Sequence, residues 1–157
     1  MFNGTFTDIL LLALAAILVV AAVVDVRTFT ISNRLNLTVA LLAPVYWLSV
    51  ALSPWPDMAA QIAAGAIVFV LFAGAFYAGM MGGGDVKLAA AVALWFSPFA
   101  TLKFLVITSL AGGVLTMVVL AWHHARKREG RPEVPYGVAI AVGGLAILTQ
   151  RFLNQFV

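Results

Sequence analysis

Long apolar runs broken by brief polar stretches dominate this chain. Residues 9–24 with a short N-terminal extension, 35–52, 58–81 and 98–122 each supply the roughly 20 mostly apolar residues that a helix needs to cross about 30 Å of hydrocarbon. Residues 136–153 are richer in glycine but still apolar enough to cross, with Arg151 able to snorkel to the interface at their end. Residues 86–96 are apolar after Lys87, yet as a helix they extend only about 16 Å before Ser97 and Pro98 interrupt them. They form either a short span or a re-entrant half-helix.

The basic residues decide between the two, because Lys and Arg in short loops accumulate on the cytoplasmic side. With six crossings and the N-terminus outside, Arg27, Arg34, Lys87, Arg126, Lys127, Arg128 and Arg131 fall inside. Only Lys103 and Arg151 of the nine basic residues are then left near the other face. If residues 86–96 turned back, the basic block at 126–131 would land opposite Arg27 and Arg34 and the asymmetry would vanish. The expected fold is therefore all-α: a single integral membrane domain over residues 1–157, a polytopic bundle of six transmembrane helices with a short fourth helix. Residues 53–57 read as an external turn with Trp55 at the interface, and residues 123–135 as a polar cytoplasmic loop. No Lys or Arg precedes the first run, unlike the basic start of a secretory signal peptide, so that run is expected to stay.

Composition agrees with a lipid environment. The chain is 64% apolar, against about 45–50% in soluble domains, and its mean hydropathy is +1.08. Cysteine is absent, which excludes disulfides, thiolate metal sites and a cysteine nucleophile. The net charge of +3 comes from residues that flank apolar runs, so membrane lipid is the expected partner and nucleic acid is not. Charged residues make up only 10% of the chain, so each one can be weighed singly.

An ionisable side chain in or beside a span is costly unless it faces protein, water or a partner. Of the six acids, Asp8 and Asp57 are expected to cap outer helix starts, and Glu129 and Glu133 to be solvated in the polar loop. Asp25 closes an apolar run, where the helix dipole opposes a carboxylate; its plain alternative is an ion pair with Arg27 or Arg34. Asp85 follows Gly82, Gly83 and Gly84 and has a plain N-cap reading. Three successive glycines beside a bilayer favour a function, since they are expected where another backbone approaches closely or a hinge is needed. Under six crossings Asp25 and Asp85 lie on one side of the membrane. Two carboxylates held together share a proton, so that one serves as acid while the other activates water. His123 and His124 lack a third ligand at helical spacing, and no metal or other cofactor is expected. Lys87 either steadies an ionised pair or snorkels at the interface.

Residues 81–88, MGGGDVKL, closely resemble the GxGD motif with its following lysine in the type IV prepilin peptidases. Asp25 followed by Ile31-Ser32-Asn33 resembles that family's other motif, an aspartate before Ile-Pro-Asn, with Ser32 standing where proline is usual. Pro135-Tyr136-Gly137-Val138-Ala139 is similar to the segment opening the family's last helix. The resemblance implies that Asp25 and Asp85 are a catalytic aspartyl pair at the cytoplasmic face of the bacterial inner membrane. The implied substrates are prepilins or pseudopilins, whose short leader is cut off after a glycine. Gly82, Gly83, Gly84, Lys87 and Asn33 are the expected substrate contacts. Larger members carry a cytoplasmic insertion between helices 1 and 2, often with cysteines, and also methylate the new N-terminus. This chain has only residues 26–34 there, which is similar to the small, peptidase-only branch serving tight-adherence (Flp) pili. Two other classes use the same residues differently: a small proton- or cation-coupled transporter with Asp25 and Asp85 as relays, and a non-catalytic scaffold. Gly65, Gly74, Gly112, Gly113, Gly143 and Gly144 would let helices pack closely in any of the three.

Overall fold

The computed structural model describes residues 4–126, 130 and 132–154. Lys127, Arg128, Glu129 and Arg131, which carry part of the expected charge asymmetry and of the polar loop, lie outside the described residues, as do residues 1–3 at the start of the chain.

All regular elements among the described residues are helical: α1 (Gly4–Thr28), α2 (Asn33–Ser49), α3 (Ala59–Tyr77), α4 (Gly83–Ala93), α5 (Pro98–Ala125) and α6 (Tyr136–Asn154). A π-type turn with a break at Trp55 leads into α3. Four stretches, Gly4–Thr28, Pro54–Tyr77, Pro98–Ala125 and Tyr136–Asn154, are long and apolar enough to cross a membrane. Their outward faces carry Leu12, Val20, Val70, Leu110 and Met117, all more than half exposed. In water such a surface would aggregate; in hydrocarbon it is matched to its solvent.

The short helix α4 sits inside, packed against α2, α3 and α6, while α1 packs on α6 and α5 on α6. Most of α4 is buried, with Leu88, Ala89, Val92 and Ala93 fully so. Its 11 residues are short because protein rather than lipid covers both its ends. At one end the Asn36 amide donates to the Gly84 carbonyl at 2.9 Å. At the other the Trp47 indole donates to the Leu94 carbonyl at 2.8 Å, and the Trp95 indole donates back to Val39 at 3.0 Å. Helix α2 thus satisfies polar groups at both ends of α4, which fixes where the first turn of α4 lies.

Three expectations change. The fourth helix starts at Gly83, not 86, because its N-terminal turn is buried against α2 and Ile31, and tertiary contact overrides the low helix propensity of glycine. Asp8 lies a full turn inside α1 and does not cap it, although Asp57 does accept the Ser53 amide and hydroxyl. Gly65, Gly112, Gly143 and Gly144 do lie against neighbouring helices, whereas Gly74 and Gly113 face open space.

Candidate active site

Helix α1 ends just past Asp25. Its last turn closes with the Phe29 amide on the Asp25 carbonyl at 2.8 Å, and Phe29 takes a positive φ of 51° that reverses the chain. Helix α2 then begins at once, with Ser32 as N-cap accepting the Leu35 amide. Serine in place of the family's proline therefore supplies a cap, and its φ of −69° is one that proline also adopts.

Asp25 is 2% exposed and its Oδ2 accepts the Gly137 amide at 2.7 Å. The Val138 amide also acts on it. These are first-turn amides of α6, so the carboxylate that the dipole of its own helix opposes is held by the positive end of another. The plain alternative, an ion pair with Arg27 or Arg34, is not what holds it.

Asp85 is 6% exposed. It is the third residue of α4 rather than its N-cap, which is Gly82, and its Oδ2 reaches back to the Gly82 amide at 3.2 Å. Its Oδ1 is buried with no hydrogen-bond partner within the protein. Asp85 lies near enough to Asp25 for the charge of one carboxylate to bear on the other. Two acids 60 residues apart in sequence are thereby brought to the first turns of α4 and α6.

Close packing makes this possible at two glycines. A Cβ on Gly137 would lie 2.7 Å from both Asp25 Oδ2 and Ile31 Cδ1, and a Cβ on Gly84 would lie 2.8 Å from the Ile31 carbonyl oxygen. Of the GGG run, Gly84 meets the expectation of close backbone approach. None of the three takes a positive φ; the glycine that does, ahead of α4, is Gly79 at 70°. The Lys87 ammonium donates to Asn33 Oδ1 at 2.9 Å, joining two of the expected substrate contacts to each other.

Gly137, Asn36 and Ile31 are the residues whose parts sequence reasoning missed. Gly137 stood inside a noted Pro-Tyr-Gly segment, but nothing in its spacing pointed to Asp25. Asn36, a lone amide near the start of an apolar run, carried the only advance signal of a polar clamp.

Beside this site an apolar cavity of about 670 Å³ opens between α3 and α5. It is lined in part by Phe72, Met80, Met81, Gly112 and Tyr136, and so reaches the chain neighbours of Gly82 and Gly137. The Tyr136 hydroxyl is hydrogen-bonded to Thr116 across α5 and α6 at 3.2 Å.

The profile of the type IV leader peptidase family matches residues 12–117, more than half of the chain, and ends short of α6. A curated relative, "Prepilin leader peptidase/N-methyltransferase" of Pectobacterium carotovorum subsp. carotovorum, is 28% identical over 138 residues. That alignment covers 85% of this chain and 48% of the relative, so the chain spans about half the length of the curated relative it matches. No solved structure matches the chain.

Proposed function

Because the chain belongs to the type IV leader peptidase family, we propose that it is an aspartic endopeptidase of the bacterial inner membrane. It removes the short leader of Flp-type prepilins or pseudopilins, with Asp25 and Asp85 as the catalytic pair. The observation that carries this reading is the convergence of both buried carboxylates on the first turns of α4 and α6. Water lying between them is activated by the ionised carboxylate and attacks the scissile carbonyl, while the protonated partner donates to the carbonyl oxygen. Collapse of the tetrahedral adduct breaks the C–N bond, and the departing amine takes up a proton from the pair. No metal or cofactor is required.

All six helices cross in this reading, with the N-terminus outside and the pair on the cytoplasmic side, and residues 1–157 act as one membrane domain. Arg27, Arg34 and Lys87 flank the pair on α1, α2 and α4, whereas Lys103 and Arg151 lie toward the opposite ends of α5 and α6, the pattern of the positive-inside rule. The 17 residues of α2 extend about 26 Å and suffice for a span, and α4 crosses inside the bundle rather than against lipid.

The substrate's apolar helix enters from the bilayer, for which the cavity between α3 and α5 offers a path toward Gly82 and Gly137. Of the expected leader contacts, the Gly82 amide and Gly84 carbonyl are already taken by Asp85 and Asn36. Gly83 and the exposed Lys87–Asn33 pair therefore carry the recognition of the extended leader. Methyl transfer is not part of this activity, since α1 and α2 are joined by only a few residues where larger members carry an insertion. Co-expression with a Flp-type prepilin tests the proposal. Wild type removes the leader, and Asp25→Asn and Asp85→Asn insert normally but leave it attached; cleavage by either variant refutes the assignment.

A further inference from the structure

The opposite end of the bundle holds a second cavity, of about 580 Å³, that the peptidase reading does not use. Lys103 and Arg151 both line it, together with Gln61 and the stacked pair Tyr46 and Trp95, and no Asp or Glu does. The two cations have no carboxylate partner among their described contacts. Lys103 lies over the Phe99 ring at 4.9 Å, and Arg151 lies over the Tyr46 ring and donates to its hydroxyl. Tyr46 is itself 3% exposed, so it holds the guanidinium at a set place, and the other N–H groups meet no hydrogen-bond partner among the described residues.

Gln61 adds an independent sign of a ligand. It is 7% exposed, it lines the same cavity, and its Oε1 is buried with no hydrogen-bond partner. A buried acceptor without a donor is costly, so a group that donates to it is favoured. The cavity therefore offers two positive donors for an anion, one acceptor waiting for a hydroxyl, and walls such as Leu11, Phe96 and Leu148 for hydrocarbon.

We propose that this cavity binds the headgroup of an anionic phospholipid bearing a free hydroxyl, of the phosphatidylglycerol kind. The phosphodiester sits between Lys103 and Arg151, as a bidentate guanidinium and a point charge would hold it. A glycerol hydroxyl donates to Gln61 Oε1. A zwitterionic headgroup is disfavoured because its ammonium would meet two cations and no carboxylate.

Native mass spectrometry of the full-length protein, with phosphatidylglycerol, phosphatidylmethanol (the same single charge without a free hydroxyl) or phosphatidylcholine titrated into the micelle, tests this. The expected order of affinity is phosphatidylglycerol, then phosphatidylmethanol, then phosphatidylcholine. Lys103→Gln, at an exposed position where the fold is unaffected, lowers the phosphatidylglycerol affinity about fivefold, the factor for about 1 kcal/mol per basic residue near an anionic lipid. Gln61→Leu abolishes the preference for phosphatidylglycerol over phosphatidylmethanol. Equal binding of phosphatidylglycerol and phosphatidylcholine, or undiminished phosphatidylglycerol affinity in Lys103→Gln, overturns the proposal. Competition by inorganic phosphate at equal concentration also overturns it, because the site would then take a soluble anion.

Discussion

A single methyl group on Gly137 should disable the pair without replacing either aspartate. The added Cβ would sit 2.7 Å from Asp25 Oδ2 and from Ile31 Cδ1, where ordinary contact begins at 3.4 Å. The carboxylate must then retreat by about 0.7 Å, which stretches its 2.7 Å bond from the Gly137 amide to near 3.4 Å. Weakening a hydrogen bond to a charged group costs about 1.5–3 kcal/mol, and overpacking adds about 1–3 kcal/mol. For catalysis the displacement matters more, since misplacing a reacting group by about 1 Å costs on the order of 100-fold. Gly137→Ala is therefore expected to lower the rate of leader cleavage by about two orders of magnitude in reconstituted membranes. It should also lower the denaturant midpoint in mixed micelles. The same substitution at Gly74, whose Cβ would meet nothing within 4 Å, supplies the control. There alanine is expected to stabilise the helix by about 0.5–1 kcal/mol and leave cleavage intact. Wild-type cleavage by Gly137→Ala, or equal loss in Gly74→Ala, would refute the reasoning.

Gly84→Ala drives a Cβ into the Ile31 carbonyl oxygen at 2.8 Å, and should separate α4 from the chain reversal after α1, seen as a cleavage loss of at least tenfold. Asn36→Leu leaves the Gly84 carbonyl with one partner fewer but also removes the unpaired Asn36 Oδ1; unfolding should shift by no more than about 1 kcal/mol while cleavage falls severalfold. Ser32→Ala removes the α2 cap and should cost about 0.5–2 kcal/mol by denaturant titration, whereas Ser32→Pro loses the same cap but gains a fixed φ near the observed −69°, and should lie closer to wild type.

Much of this arrangement was legible in the sequence because charges are scarce in it. Asp25 stood out as an acid that its own helix dipole opposes, Asp85 by the three glycines before it, and the apolar runs marked all six helices to within a few residues. The misjudged places share one cause, which is contact between elements distant in sequence. The start of α4 was set too late because nothing local revealed that Ile31 and Asn36 would brace a glycine-rich turn. The partner of Asp25 was invisible for the same reason, since it is a backbone N–H and any residue but proline carries one. Which glycines pack against neighbours and which face open space depends on helix rotation, and α3 and α5, apolar on all sides, offer no periodicity from which to read it.

The hydrogen bond from Gly137 to Asp25 spans 112 positions and comes from the last helix. During biosynthesis the chain can be made through the end of α5 and still lack the N–H that seats Asp25. In the proposed mechanism, competence then arrives only with docking of the final segment. Ribosome-stalled intermediates ending before residue 135 should accordingly be inert, and should gain activity when α6 is supplied as a separate peptide.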